Sequence, residues 1–146
     1  MKKQTDGVIF TFGHSNKPIE YFLQRLKENN IDILVDVRTI PFSRWTPHFG
    51  KIMLERALNT EGIQYLYRGH NLGGKAENVD YEETIDELTN IAKNDQNVCI
   101  MCSESDYRKC HRYLTLTPSF EERGLSVIHI GYENTPKQSA PKRATN

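Results

Sequence analysis

The sequence predicts an α/β fold, a three-layer open sandwich with a mainly parallel sheet of about five strands. Two observations carry this expectation. Short apolar runs alternate along the chain with segments of helical periodicity. The runs are also nearly continuous in apolar residues, as strands covered on both faces are. Val8-Ile9-Phe10-Thr11-Phe12 is the first such run, closed by Gly13. Ser15 or Asn16 can cap a helix entered at Pro18, and Ile19, Phe22, Leu23 and Leu26 then recur at helical spacing until Asn29-Asn30. Ile33-Leu34-Val35-Asp36-Val37 is the second strand. After a long loop, a helix begins at Ile52 and ends at Gly62, and Gln64 to Tyr67 is a weaker third strand.

Leu72-Gly73-Gly74 reads as a loop, and Tyr81, Ile85, Leu88 and Ile91 mark the next helix. Val98-Cys99-Ile100-Met101 is the fourth strand. A helix starts near Arg108 or Lys109, is interrupted near Thr117-Pro118 because proline lacks the N–H that a helix needs, and reaches Gly124. Val127-Ile128-His129-Ile130 is the fifth strand. The chain of 146 residues suits one domain, over residues 1–131. Residues 132–146 have little apolar content and are expected to form a disordered tail. There is no internal repeat.

Lys plus Arg number 19 and Asp plus Glu 19, so no global field advertises a nucleic-acid or membrane partner. The charges are nevertheless segregated. Residues 37–54 contain no acid but include Arg38, Arg44 and Lys51, and residues 62–76 contain none but include Arg68 and Lys75. No apolar run approaches membrane-spanning length, and Met1-Lys2-Lys3-Gln4 leads into polar residues, so the expected location is cytoplasmic. The three cysteines are then expected to be thiols or ligands rather than disulfide partners.

In a parallel sheet, ligands bind beyond the carboxyl ends of the strands. The strand map places His14-Ser15, Asp36-Val37-Arg38, Tyr67-Arg68, Cys102-Ser103-Glu104 and His129 at that edge, which makes it the candidate site. The same residues carry a resemblance. Thr11-Phe12-Gly13-His14-Ser15, Asp36-Val37-Arg38 with Pro41 and Ser43-Arg44, Leu72-Gly73-Gly74, Cys102-Ser103-Glu104 with Cys110-His111-Arg112, and His129-Ile130 look like the family called "domain of unknown function 488". The resemblance spans roughly residues 10–130 and implies no particular activity. Thr115-Leu116-Thr117-Pro118 departs from the family, which usually looks like an uninterrupted helix there.

Cys99 and Cys102 have C-x-x-C spacing, but Cys99 lies inside a strand, where residues three apart point to opposite faces, so it is expected to be core filler. Cys102 and Arg108 have the C-x5-R spacing of cysteine phosphatases and sulfurtransferases, whose loop amides cradle an oxyanion. Glu104 and Asp106 within that loop would repel a phosphate, which argues against this reading. Glu104 is either a general base or an ion-pair partner of Arg112 or Arg38. Asp36 is either satisfied by Arg38 or a helix-terminal amide, or paired with Glu104 as the two carboxylates of a glycosidic cleavage. A Cys2His2 metal set from Cys102, Cys110, His14 and His129 lacks the short knuckle spacing of a zinc site, so no metal or other cofactor is expected.

Residues 38–50 interleave Arg38, Arg44 and His48 with Phe42, Trp45 and Phe49, combining stacking surfaces with cations. Trp45 and Phe49 could equally fold back as a small core under the loop. The function expected is a cationic pocket for a phosphate-bearing ligand, a nucleotide or nucleic-acid end, with hydrolase or transferase chemistry. Cys102, Glu104 and Asp36 are the candidate catalytic residues. His14, Ser15, Arg38, Ser43, Arg44, Cys110, His111 and Arg112 are the candidate binding residues. The alternative is a thiol- or metal-binding regulatory module using Cys102, Cys110 and His111. A third is a scaffold whose polar edge binds a partner protein through Trp45.

Overall fold

A computed structural model describes residues 7–73 and 78–132, without the side chains of residues 111–113. Five strands form one parallel sheet: β1 (Gly7–Gly13), β2 (Ile33–Asp36), β3 (Gln64–Tyr67), β4 (Val98–Cys102) and β5 (Leu125–Ile130), in the order β3-β2-β4-β1-β5. Between them run α1 (Ile19–Glu28), α2 (Lys51–Thr60), the single turn α3 (Gly69–Leu72), α4 (Tyr81–Lys93) and α5 (His111–Glu121). The three-layer parallel sandwich expected from the sequence is the observed fold.

The inner strands β2 and β4 are buried throughout, the edge strands β3 and β5 only in part, and the pleat sorts their residues between two cores. Ile9, Val35, Val98, Ile100 and Cys102 pack with Ile85 and Leu88 of α4 and Leu116 and Phe120 of α5. Phe12, Leu34, Cys99 and Met101 pack on the other face with Phe22 and Leu26 of α1 and Leu54 and Leu58 of α2. The division follows from the connections. Those through α1 and α2 step toward β3, and those through α4 and α5 step toward β5; right-handed crossovers in opposite directions must lie on opposite faces. Cys99, buried and pushed above the usual thiol range by desolvation, is core filler.

Three local expectations are corrected. Neither Ser15 nor Asn16 caps α1: its first turn is entered from Pro18, whose carbonyl accepts from Tyr21 and Phe22, and Ser15 has φ 55°. α5 is not interrupted near Thr117-Pro118; Pro118 lies inside it, and its carbonyl accepts from the Glu122 N–H. The tertiary contacts of Leu116 and Phe120 hold the helix through the missing hydrogen bond. Tyr132, assigned by the sequence to the tail, is buried: it packs against Phe12 and Tyr21, and its hydroxyl donates to the His14 carbonyl at 2.7 Å. The remainder of the expected tail, residues 133–146, lies outside the described residues, as do Gly74 and Lys75. No helix among the described residues is long and apolar enough to cross a membrane.

Candidate functional site

Five parallel strands deliver five carboxyl ends to one edge. The chain leaves β1 and β2 toward the face of α1 and α2, while it leaves β4, which lies between them, toward α5. The carboxyl end of β4 is thus a topological switch point, the position at which ligands bind in open α/β sheets.

On the α1/α2 side, Asp36 has no exposed surface. Arg38 donates to it through Nε (2.9 Å to Oδ1), Nη2 (2.8 Å to Oδ2) and the backbone N–H (3.1 Å to Oδ1), and the Tyr65 hydroxyl adds a fourth donor at 2.7 Å. Arg38 Nη1 lies 3.3 Å from His14 Nε2, and His14 Nδ1 lies 2.7 Å from the Ser15 carbonyl. An arginine only donates and a carbonyl only accepts, so Nδ1 carries the proton and Nε2 is the acceptor. Desolvation, aided by the neighbouring Arg38 charge, lowers the His14 pKa to about 4 and keeps the ring neutral. Phe49, fully buried, stacks on it at 4.3 Å. The Tyr67 hydroxyl lies 2.8 Å from both the Arg38 and Thr39 carbonyls, fixing the start of the β2–α2 loop.

Across the sheet, Cys102 points into the α4/α5 core, its sulfur 3.3 Å from that of Cys110, the N-cap residue of α5. The loop joining them uses its own acids: Glu104 Oε2 accepts from the Asp106 N–H at 2.9 Å, and Asp106 Oδ1 from the Arg108 N–H at 3.1 Å. The Lys109 and Cys110 N–H groups are taken by the Asp106 and Tyr107 carbonyls. These amides are not available as an oxyanion cradle, and Arg108 is clamped to Asp106. The C-x5-R spacing therefore does not correspond to a phosphatase loop.

The same loop runs over the end of β1, where a β-carbon on Gly13 would overlap the Glu104 carbonyl. Ser15 N–H donates to the Ser103 carbonyl at 2.8 Å. Further along this face, His129 bonds through Nδ1 to Thr11 Oγ1, stacks on Tyr107 at 4.0 Å, and is lowered to about 4 by burial.

The β2–α2 loop splits the aromatics. Phe49 is core, whereas Trp45 is 79% exposed, with the Arg44 guanidinium 5.1 Å above its ring. Ser43 shapes the turn beneath them, its hydroxyl accepting from the Trp45 N–H at 3.1 Å. Lys51 lies over the Tyr67 ring, and Arg68 is held by Glu87 in a two-pronged ion pair. Phe42, Ile52 and Met53 are exposed beside a cavity of about 360 Å³.

Thus His14, Asp36 and Arg38 form one buried unit, while Cys102 and Cys110 form another on the opposite face. The alternation of the pleat separates Asp36 from Cys102, so they do not share a cleft as one catalytic pair. Glu104 is exposed, and it is Asp36, not Glu104, that pairs with Arg38. Nothing is described of the His111 and Arg112 side chains. Among the described residues no three His, Cys, Asp or Glu side chains gather as a metal site. Sequence reasoning placed Tyr67 at this edge but missed Tyr65, whose signal was its period-2 spacing from Tyr67 along β3, and Tyr132.

Comparison with curated proteins finds no match, and neither does comparison with solved structures. Residues 18–82 match the family model described as "Domain of unknown function DUF488", so the resemblance to that family is shown over the segment that contains Asp36, Arg38, Ser43 and Arg44.

Proposed function

We propose that the chain binds a phosphate-bearing ligand, a nucleotide or a nucleic-acid end, on the acid-free loop of residues 38–50. Trp45 would be the stacking platform and Arg44 the phosphate-binding cation. The observation that supports this is the Arg44–Trp45 pair itself: an indole 79% exposed, beneath a guanidinium that has no acid partner among the described residues. A base plane recovers the burial that an exposed indole forgoes, and a guanidinium pairs two-pronged with phosphate. Arg38 has the different task of holding the loop's first residues through Asp36 and His14. Hydrolase or transferase chemistry is the activity this reading favours. Of Cys102, Glu104 and Asp36, only Glu104 is open to solvent.

Trp45 is the chain's one tryptophan, so its fluorescence reports the site directly. Titration with a short 5′-phosphorylated single strand at low salt should quench it saturably, with affinity falling as salt rises. Stacking contributes about 1–3 kcal/mol per base, so Trp45→Ala should weaken binding of a labelled strand roughly 5- to 150-fold. Arg44→Ala should lower the salt slope by about one phosphate contact. If neither mononucleotides nor strands move the fluorescence or the label's anisotropy, the proposal is wrong.

A second reading rests on the exposed Phe42, Ile52 and Met53 beside the apolar cavity: a protein partner with Trp45 as its anchor. It is favoured if Trp45→Ala abolishes a complex that salt leaves intact.

A further inference from the structure

We propose that Cys102 and Cys110 are a peroxide-oxidisable dithiol, a redox site separate from the loop that carries Trp45. Their sulfurs lie 3.3 Å apart. Closing to the disulfide length of about 2.05 Å needs a shift of little over 1 Å, within the reach of side-chain rotation and the loop that joins them. Cys102 ends the central strand, where its position is fixed by its pairing with Gly13 of β1 and by the His14 N–H donating to its carbonyl, and has no exposed surface. Cys110 is the N-cap residue of α5 and retains 4% exposure, so of the two thiols it is the one that meets solvent. The seven residues between them form a solvent-facing strap in which Ser103, Glu104, Tyr107, Arg108 and Lys109 are exposed. The pair lies at the margin of the α4/α5 core, and an oxidant would reach it from this strap side through Cys110. Cys99 provides the contrast: it is on the other face of the sheet, fully buried, with no second thiol beside it in its own core.

The chemistry balances with hydrogen peroxide as the oxidant. Cys110 attacks one peroxide oxygen, the O–O bond breaks, and a cysteine sulfenic acid and one water form. Cys102 then attacks the Cys110 sulfur, the S–O bond breaks, and a second water leaves with the disulfide. A cellular dithiol returns the pair to the reduced state by exchange. The disulfide would staple the strap across the start of α5. The strap already packs on the end of β1, the Glu104 carbonyl against Gly13 and the Ser103 carbonyl on the Ser15 N–H just beyond it, so oxidation would be felt at the edge of the sheet.

The test is a peptide map of the whole wild-type chain, treated with a small excess of hydrogen peroxide, alkylated and digested with trypsin. Arg108 and Lys109 lie between the two cysteines, so cleavage leaves Cys102 and Cys110 on separate peptides that only a disulfide holds together. The expected product is the linked pair, two mass units lighter than the sum of its free-thiol halves, with Cys99 alkylated and the link lost on treatment with dithiothreitol. Cys102→Ala, checked for folding by circular dichroism, should instead accumulate a Cys110 sulfenic acid that dimedone traps. The proposal is overturned if peroxide leaves Cys102 and Cys110 separately alkylated, carries them to sulfinic acids without a link, or joins Cys102 to Cys99.

Discussion

A carboxylate with no exposed surface survives in a protein only if its oxygens are fully occupied, and Asp36 meets this condition with two donors from the Arg38 side chain, one from its backbone and one from Tyr65. Such a pair is weak evidence for net stability, yet removing one half is costly because the other charge stays buried. Asp36→Asn should therefore lose about 3–5 kcal/mol, read as a lowered urea midpoint. Adding Arg38→Gln should recover part of that loss, and strict additivity of the two substitutions would mean that they do not interact. The pairing itself was legible in the sequence, as an acid and an arginine two apart at the end of an apolar strand. The split between Trp45 and Phe49 was not. Both are aromatic, four residues apart in one loop, and it is the tertiary pocket of His14 and Phe22 that explains why Phe49 turns inward.

At the level of elements, the strands and helices were readable from periodicity because each buries a face of matching period. The errors fell where tertiary contact outweighs local preference, at Pro18, at Pro118 and after β5. The crossing of the 103–109 strap over β1 is another such contact, and it makes Gly13 a requirement of close approach. Gly13→Ala should cost about 3 kcal/mol or more, since the obstacle is the backbone carbonyl of Glu104 rather than a flexible side chain. Gly62→Ala is the control. There a β-carbon meets open space and only the φ of 75° resists, so the loss should be about 1 kcal/mol. Comparable urea midpoints for the two variants would show that the strap yields.

Over the whole molecule, two neutral histidines, His14 buried and His129 half-buried, set a direction for the pH dependence of stability. Burial lowers both His14 and His129 to about 4, against an unfolded value near 6.5. Above the unfolded value both states are neutral and nothing is lost. As pH falls through the window between the two values, the unfolded chain takes up protons that the folded one refuses, so stability drops, and the loss levels off below the folded values. His14, almost entirely buried, accounts for a loss on the order of 3 kcal/mol across that window. Urea midpoints should fall steadily from pH 7 to pH 4.5, and His14→Gln should flatten the decline; an unchanged slope in that variant would show that other groups control it.

The sequence by itself determined the class of fold, the number of strands and the edge at which the polar residues gather. Apolar period and the parallel sheet's single carboxyl edge leave little choice in these. Only the tertiary structure decided how that edge is divided. Which face a strand residue serves depends on register and on the hand of each crossover, and neither is visible in a linear pattern. That is why Asp36 and Cys102, both at strand ends of one edge, belong to separate sites: one a buried ion pair supporting a loop that carries an exposed indole, the other a pair of thiols beneath a strap.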